Sequence, residues 1–119
     1  MITLRLPYPP TVNTYWRHKG NAIYVNPIGT TYRNNVFAIV ASELGYHPKL
    51  KCRLGMAIEL TMPDKRRRDI DNVFKAILDS LQYAGVYLND SQIDDLRIRR
   101  LGVCPPGAAD VVIQKLGLK

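Results

Sequence analysis

The sequence is poor in cysteine, in histidine and in long apolar runs, and each shortage closes a class of function. Its two cysteines, Cys52 and Cys104, stand far apart and form no Cys-x-x-Cys, so neither a disulfide framework nor a zinc site is available. No motif pairs either one with a histidine, which leaves both as reduced, packed thiols rather than nucleophiles. Of the two histidines, His18 falls in a loop and reads as a surface residue, and His47, next to Pro48 in a turn, takes no functional role. No apolar stretch approaches the roughly 18 residues that span a bilayer. Met1 to Pro7 also lacks the basic segment followed by an apolar one that marks a secretory leader. The expectation is a soluble, intracellular protein with no membrane partner.

Acidic residues are missing from the first third of the chain. The first is Glu43, so Arg5, Arg17, Lys19 and Arg33 have no local counter-charge and that region is free to lie against phosphate. The whole chain carries a formal charge of +7 with a pI near 9.7, which favours an anionic partner, nucleic acid or a membrane surface, without choosing between them. What acid there is concentrates elsewhere. Seven of the eight aspartates lie between Asp64 and Asp95, the stretch that also holds the densest basic run, Lys65-Arg66-Arg67-Arg68. Opposite charges crowded in this way need a physical reason.

A length of 119 residues with 46% hydrophobic content predicts one core and one domain over 1–119. Ile2, Leu4 and Leu6 alternate with polar neighbours, the period of a half-buried strand, and Pro7-Tyr8-Pro9-Pro10 ends it. Thr11 to Gly29 reads as a basic, aromatic loop with a short strand at Ala22 to Val25. From Thr31, Tyr32, Val36, Ile39, Val40 and Leu44 recur at helical spacing, and Gly45 is placed to stop the helix. Leu54, Met56, Ile58, Leu60 and Met62 alternate as a strand closed by Pro63. Ile70, Val73, Phe74, Ile77, Leu78 and Leu81 then predict a helix over 70–81, with Gly85 just beyond it. Strands around Leu96 to Arg99 and Val111 to Ile113, joined by a Pro105-Pro106-Gly107 turn, complete an α+β fold, a mixed sheet packed with two main helices. Alternation in the first of these strands puts Arg97 and Arg99 on one face, toward solvent or DNA.

Asp69 stands at the entrance to the second helix, and Asp71, Asn72, Lys75 and Asp79 fall opposite its apolar arc. Asp90 follows the helix. Carboxylates brought together repel unless a cation joins them, and hard oxygen ligands suit Mg²⁺ or Mn²⁺. Such an ion activates water and stabilises a phosphoryl transition state, with Lys75 or an arginine adding positive charge. A second reading stays open at this point. Asp69 is a good N-cap, Asp71 suits the positive end of the helix, Lys75 is spaced to pair with Asp71, and the basic run is then a solvated loop.

Met62-Pro-Asp-Lys-Arg-Arg-Arg-Asp-Ile-Asp-Asn-Val-Phe-Lys75, continuing through Ala84-Gly-Val-Tyr-Leu-Asn-Asp90, resembles the RusA family of Holliday junction resolvases. The likeness extends to Leu6-Pro-Tyr-Pro-Pro-Thr-Val-Asn13, Tyr15, Arg17-His18 and Tyr32-Arg33, and so covers most of the chain. It implies a RusA-like fold and a homodimeric, Mg²⁺-dependent endonuclease of the bacterial or phage-infected cytoplasm that resolves four-way junction DNA by paired nicks. It implies Asp69, Asp71 and Asp90 as metal-binding acids and Lys75 as the catalytic lysine. Arg67, Arg68 and Asn72 match neighbouring positions and are assigned to DNA contact, along with Lys65 and Arg66. Position 89 departs from the pattern, with Asn where the family often has a second acid.

Two strands of a junction must be cut at symmetry-related points, and one acid cluster per chain then calls for a two-fold dimer. Asn13, Tyr15, Arg17 and Lys19 are further candidates for DNA contact, through phosphates or by stacking on unpaired bases. Trp16 and the tyrosines have the alternative of a core or interface place. Two other functions compete: a non-catalytic DNA-binding protein, and a metal-dependent nuclease for other branched DNA or RNA.

Overall fold

The computed structural model describes residues 1–20 and 22–117, and within them every side chain except those of Val12, Asn13, Arg17, His18, Lys19 and Tyr24. The candidate contacts assigned to Asn13, Arg17 and Lys19 therefore lie outside the described residues. Among the described residues six strands and three α-helices follow one another: β1 (Ile2–Pro7), α1 (Val12–Tyr15), β2 (Trp16–Lys19), β3 (Ala22–Val25), α2 (Pro27–Leu44), β4 (Leu54–Met62), α3 (Phe74–Tyr83), β5 (Ile93–Val103) and β6 (Ala108–Lys115). Single 3-10 turns at Ile70–Asn72 and Asp90–Gln92 precede α3 and β5.

β4 organises the sheet. Its alternating residues Leu54, Met56, Ile58, Leu60 and Met62 are all buried, because a pleated strand sends every second side chain to one face. The four-stranded sheet runs β1-β6-β4-β5, with β4 parallel to β5 and antiparallel to β6. Parallel neighbours cannot be joined by a tight turn, so α3 is the crossover between them. It buries Ala76, Ile77, Leu78, Ser80 and Leu81. The turn at Pro105 to Gly107 does not make a hairpin, since β6 lies on the far side of β4 from β5. Glycine is required there: Gly107 has φ 85°, and a Cβ would sit 2.9 Å from the Thr61 carbonyl oxygen.

Two helix boundaries differ from expectation. α2 starts at Pro27 rather than Thr31, because Asn26 accepts a hydrogen bond from the Ile28 amide at 3.0 Å and Pro27 is preset for a first turn. Its end is as anticipated, with Gly45 at φ 73° and its amide donating to the Ala41 carbonyl. The helix expected over 70–81 is divided at Val73, so only Phe74–Tyr83 is α-helical and the segment bearing Asp71 is a separate 3-10 turn. Cys52 packs partly against the core, whereas Cys104 is exposed, contrary to the packed thiol expected there. α1 and β2, read from the sequence as loop, are regular.

The N-terminal segment is pinned by Tyr15. Its ring is fully buried and meets Trp16 edge-on at 5.1 Å, and its hydroxyl hydrogen-bonds to Asp79. Arg33 donates to the same hydroxyl and to Asp79, each at 2.9 Å, and its guanidinium lies 2.7 Å from the Asp79 carboxylate. This corrects the assignment of Tyr15 to DNA contact. A ring with no exposed surface cannot stack on a base, and its role is to tie the N-terminal segment to α2 and α3.

Burial, reinforced by Asp79, pushes the Tyr15 hydroxyl from the usual 10.0 up to about 12. The unfolded chain therefore ionises first, and the stability this group contributes below pH 10 is lost as pH rises toward 12. Tyr15→Phe is expected to flatten part of that alkaline fall in unfolding free energy, measured by urea denaturation across the window. Buried Tyr32 and Tyr87, also raised, keep the remainder.

Candidate active site

β4 ends at Met62, and the chain then forms the loop 63–69 before turning into Ile70–Asn72 and α3. The basic run lies on this loop. Lys65, Arg66 and Arg67 are exposed and Arg68 is half-buried. Asp64 orders them, since its carboxylate accepts from Arg68 at 2.7 Å and from the Arg66 amide at 2.9 Å. Arg68, and then the Arg66 amide, hold the Asp64 carboxyl below the usual carboxylate range. The Arg68 guanidinium also lies 5.6 Å from the Tyr8 ring centroid, a cation–π distance. Tyr8 has a buried hydroxyl with no hydrogen-bond partner among the described residues. Arg100 on β5 donates to the Arg68 carbonyl at 2.5 Å. The loop is thus tied to β5 and to the N-terminal segment.

Two concavities meet at Asp69. One, of about 300 Å³, is lined by Thr11, Arg67, Arg68, Asp69, Asn72 and Val73. The other, of about 590 Å³, lies between the start of α3 and β5 and is lined by Asp69, Ile70, Asp71, Phe74, Ile98 and Arg100. The first gathers Arg67, Arg68 and Asn72 beside one acid, and the second sets two acids against an apolar floor. The capping reading of Asp69 finds no support, because its side chain makes no cap hydrogen bond. Asp71 and Lys75, spaced four apart on a surface, form no ion pair either; the ion pairs lie elsewhere.

Those pairs define the site by elimination. Five aspartates face an arginine: Asp64 with Arg68, Asp79 with Arg33, Asp94 with Arg53, Asp95 with Arg97 and Asp110 with Arg5. Asp69, Asp71 and Asp90 are the three left without a hydrogen-bonding or ionic side-chain partner among the described residues. In a chain of net charge +7, unpaired carboxylates are available to a ligand, and Asp69 and Asp71 closely follow four consecutive cations. Their hard oxygen donors suit Mg²⁺ or Mn²⁺.

The three do not converge within one chain. Asp69 and Asp71 stand at the carboxyl ends of β4 and β5, where α3 begins, whereas Asp90 follows α3 and precedes β5 at the other end. The ten residues of α3 separate them by about 15 Å at 1.5 Å per residue. Among the described residues no three His, Cys, Asp or Glu side chains are grouped to hold an ion. This corrects the expectation of a three-acid cluster in a single chain, and its cause is the crossover. A strand-helix-strand unit returns the chain to the end of the sheet from which β4 started.

The Asp90 turn is rigidly built by residues that carried no assignment. The Asn89 side chain accepts from the Ser91 amide at 2.9 Å, and Gln92 accepts from the Leu88 and Asn89 amides while donating to the carbonyls of Leu50 and Cys52. Gln82 accepts from the Asp90 amide at 2.9 Å. Asn at position 89 thus has a structural task, the reciprocal cap of this turn. The spacing Asn89-x-x-Gln92 is a legible capping-box signal. Asp64 was signalled too, by its spacing of four from Arg68.

A model of the family described as Endodeoxyribonuclease RusA matches residues 7–113. The chain is 43% identical over 114 residues to the crossover junction endodeoxyribonuclease of Enterobacteria phage HK97, covering 96% of this chain and 88% of that protein. To the crossover junction endodeoxyribonuclease RusA of Escherichia coli strain K12 it is 37% identical over 118 residues, 97% and 95% of the two chains. To that of Enterobacteria phage 82 it is 37% identical over 117 residues, 96% and 94%. Fold, site and relatives together define an α+β endodeoxyribonuclease. The chain belongs to the RusA family.

Because the fold makes no use of the three free carboxylates, Asp69→Asn, Asp71→Asn and Asp90→Asn are each expected to change unfolding free energy by less than about 0.5 kcal/mol. Asp79→Ala, which strands Arg33 and Tyr15, is expected to cost about 1–3 kcal/mol. Chemical denaturation of the four variants checks the contrast.

Proposed function

We propose that residues 1–119 form one nuclease domain, acting as a homodimer in the bacterial or phage-infected cytoplasm, that resolves Holliday junctions by paired, symmetric, Mg²⁺-dependent hydrolysis. The observation that carries this reading is that Asp69, Asp71 and Asp90 are the three aspartates without a side-chain partner among the described residues, and they are the positions that match the family's metal-binding acids. Residues kept for folding are neutralised by arginine, and these are not.

Asp69 and Asp71 would hold the divalent cation, and Asp90, which this chain places at the other end of α3, is assigned as third acid on the likeness to the family. When bound, the cation supplies a Lewis acid for the scissile phosphate and lowers the pKa of attacking water. Lys75 is exposed on the first turn of α3, where its ammonium offsets the charge that develops on the phosphoryl oxygens. Lys65, Arg66 and Arg67 bind flanking phosphates through an exposed, salt-sensitive patch. Arg68, held by Asp64 and Tyr8, is preorganised for a single phosphate. Asn72 lines the same concavity as Arg67 and Arg68 and contributes a neutral donor there.

A synthetic four-way junction with each strand labelled in turn tests the reading. Mg²⁺ is expected to produce symmetric paired nicks, chelation to abolish them, Mn²⁺ to restore them, and linear duplex to stay intact. Asp69→Asn is expected to bind the junction at least as well as wild type while cleavage falls on the order of 100-fold or more. Wild-type cutting by this variant overturns the proposed site. Lys75→Ala is expected to slow cleavage with little change in affinity, and equal losses in both indicate simple phosphate binding instead.

A further inference from the structure

We infer that Asp64 and Tyr8 are positioning residues for cleavage. Together they fix the Arg68 guanidinium so that one of its edges stays free to grip a single backbone phosphate in the concavity beside Asp69. The inference rests on the reading of loop 63–69 as the phosphate-binding surface of the nuclease, and it names the residues that give that surface a fixed geometry.

An acid within the basic run needs a cause. A patch that serves only to attract DNA gains affinity from each cation that neutralises a phosphate and loses it to each carboxylate. Asp64 nevertheless stands immediately before Lys65-Arg66-Arg67-Arg68. It acts on one member of the run. Lys65, Arg66 and Arg67 are exposed, and among the described residues no acid is paired with their side chains, whereas Arg68 is half-buried and ion-paired to Asp64.

The way Arg68 is held matters more than the charge it carries. A guanidinium presents its N–H donors in a rigid planar fork with distinct edges. Nε donates to one Asp64 oxygen at 3.3 Å and Nη2 to the other at 2.7 Å, so the carboxylate occupies the side edge. Among the described residues Nη1 makes no hydrogen bond, and the terminal edge of Nη1 and Nη2 remains for a ligand. That edge matches a pair of phosphate oxygens. The Tyr8 ring lies against the same group, 5.6 Å from the guanidinium carbon to the ring centroid, and restricts its rotation. Arg100 holds the Arg68 carbonyl, so backbone and side chain are both fixed.

The clamp grips from outside the site. Arg68 lines the concavity with Arg67, Asp69 and Asn72, whereas neither Asp64 nor Tyr8 lines it. Asp69 shares that wall, so a phosphate held on the free edge of Arg68 is placed relative to the proposed metal ligand. Orientation of this kind contributes to rate, while the carboxylate that enforces it weakens attraction to DNA. Removing Asp64 should therefore move rate and affinity in opposite directions.

Asp64→Asn separates orientation from loop folding. Its amide oxygen can still accept from the Arg66 amide, as Asp64 does at 2.9 Å, whereas its NH2 group meets the Nη2 donor and releases Arg68. A labelled four-way junction is cleaved under single-turnover conditions with Mg²⁺, and affinity is measured in chelator. Asp64→Asn is expected to bind the junction as tightly as wild type or more tightly while cleavage slows roughly 10-fold. Arg68→Lys, which keeps the charge and loses the fork, is also expected to slow cleavage. In the Arg68→Lys background Asp64→Asn is expected to add little further loss, because both changes act on one interaction. A wild-type rate for Asp64→Asn, equal losses of rate and affinity, or a full additional loss in the Arg68→Lys background overturns the role of Asp64. Tyr8→Phe, which keeps the ring, is expected to cut faster than Tyr8→Leu, and equal rates overturn the role of Tyr8. A measurement without DNA decides the clamp independently of the nuclease reading. The Arg68 Nε–H, identified by its loss in Arg68→Lys, is expected to give a rigid ¹H–¹⁵N NMR signal in the free protein and a mobile one in Asp64→Asn. A mobile signal in wild type overturns the clamp. A rigid signal in a wild-type chain that cuts no junction supports the clamp and overturns the proposed function instead.

Discussion

The parallel pairing of β4 with β5 is the constraint on which the rest depends. Because parallel neighbours need a crossover, α3 must carry the chain back along the sheet. Loop 63–69 and Asp71 are thereby placed at the carboxyl ends of both strands. Ligand sites of sheets with crossover connections gather at such ends, where loops are free to carry chemistry and the strands hold them still. The same crossover sends Asp90 to the opposite end. One topological requirement thus sets two of the candidate acids at one end of the sheet and the third at the other.

Charge is distributed in keeping with this division. Arginines neutralise the aspartates that fix elements to one another: Arg5 joins β1 to β6 through Asp110, Arg33 joins α2 to α3 through Asp79, and Arg53 holds Asp94 at the start of β5. Asp64 does the same within the basic loop. Among the described residues the aspartates left over are Asp69, Asp71 and Asp90, the three to which the proposed function assigns the divalent cation.

Much of this was legible before any coordinates. The alternation from Leu54 to Met62 gave β4 its true bounds, and Gly45 marked the end of α2, because both signals come from the period of the backbone itself. α2 starts four residues before the apolar spacing predicts, because its first turn is set by the Asn26 cap and Pro27 and buries few apolar side chains. The division at Val73 was missed for a deeper reason. The apolar positions of 70–81 suit one helix, yet the chain enters from a loop whose Arg68 carbonyl is held by Arg100 of β5, and its first turn closes as a 3-10 turn with the Val73 amide donating to the Ile70 carbonyl. Tyr15, placed by sequence in a DNA-contacting loop, is a core residue because Arg33 and Asp79, far away in the chain, form a polar socket for its hydroxyl.

By itself the sequence determined the α+β class and the family, and it singled out three acids and a lysine as candidates, because these depend on residue type and on spacing along one stretch of chain. Only the tertiary structure decided that β5 is an edge, that five aspartates are occupied by arginine, and that Asp90 stands a helix length from its partners. Each of these is a relation between segments far apart in the chain. Distance in space follows from strand order and crossover direction, and no local pattern of residues encodes either one.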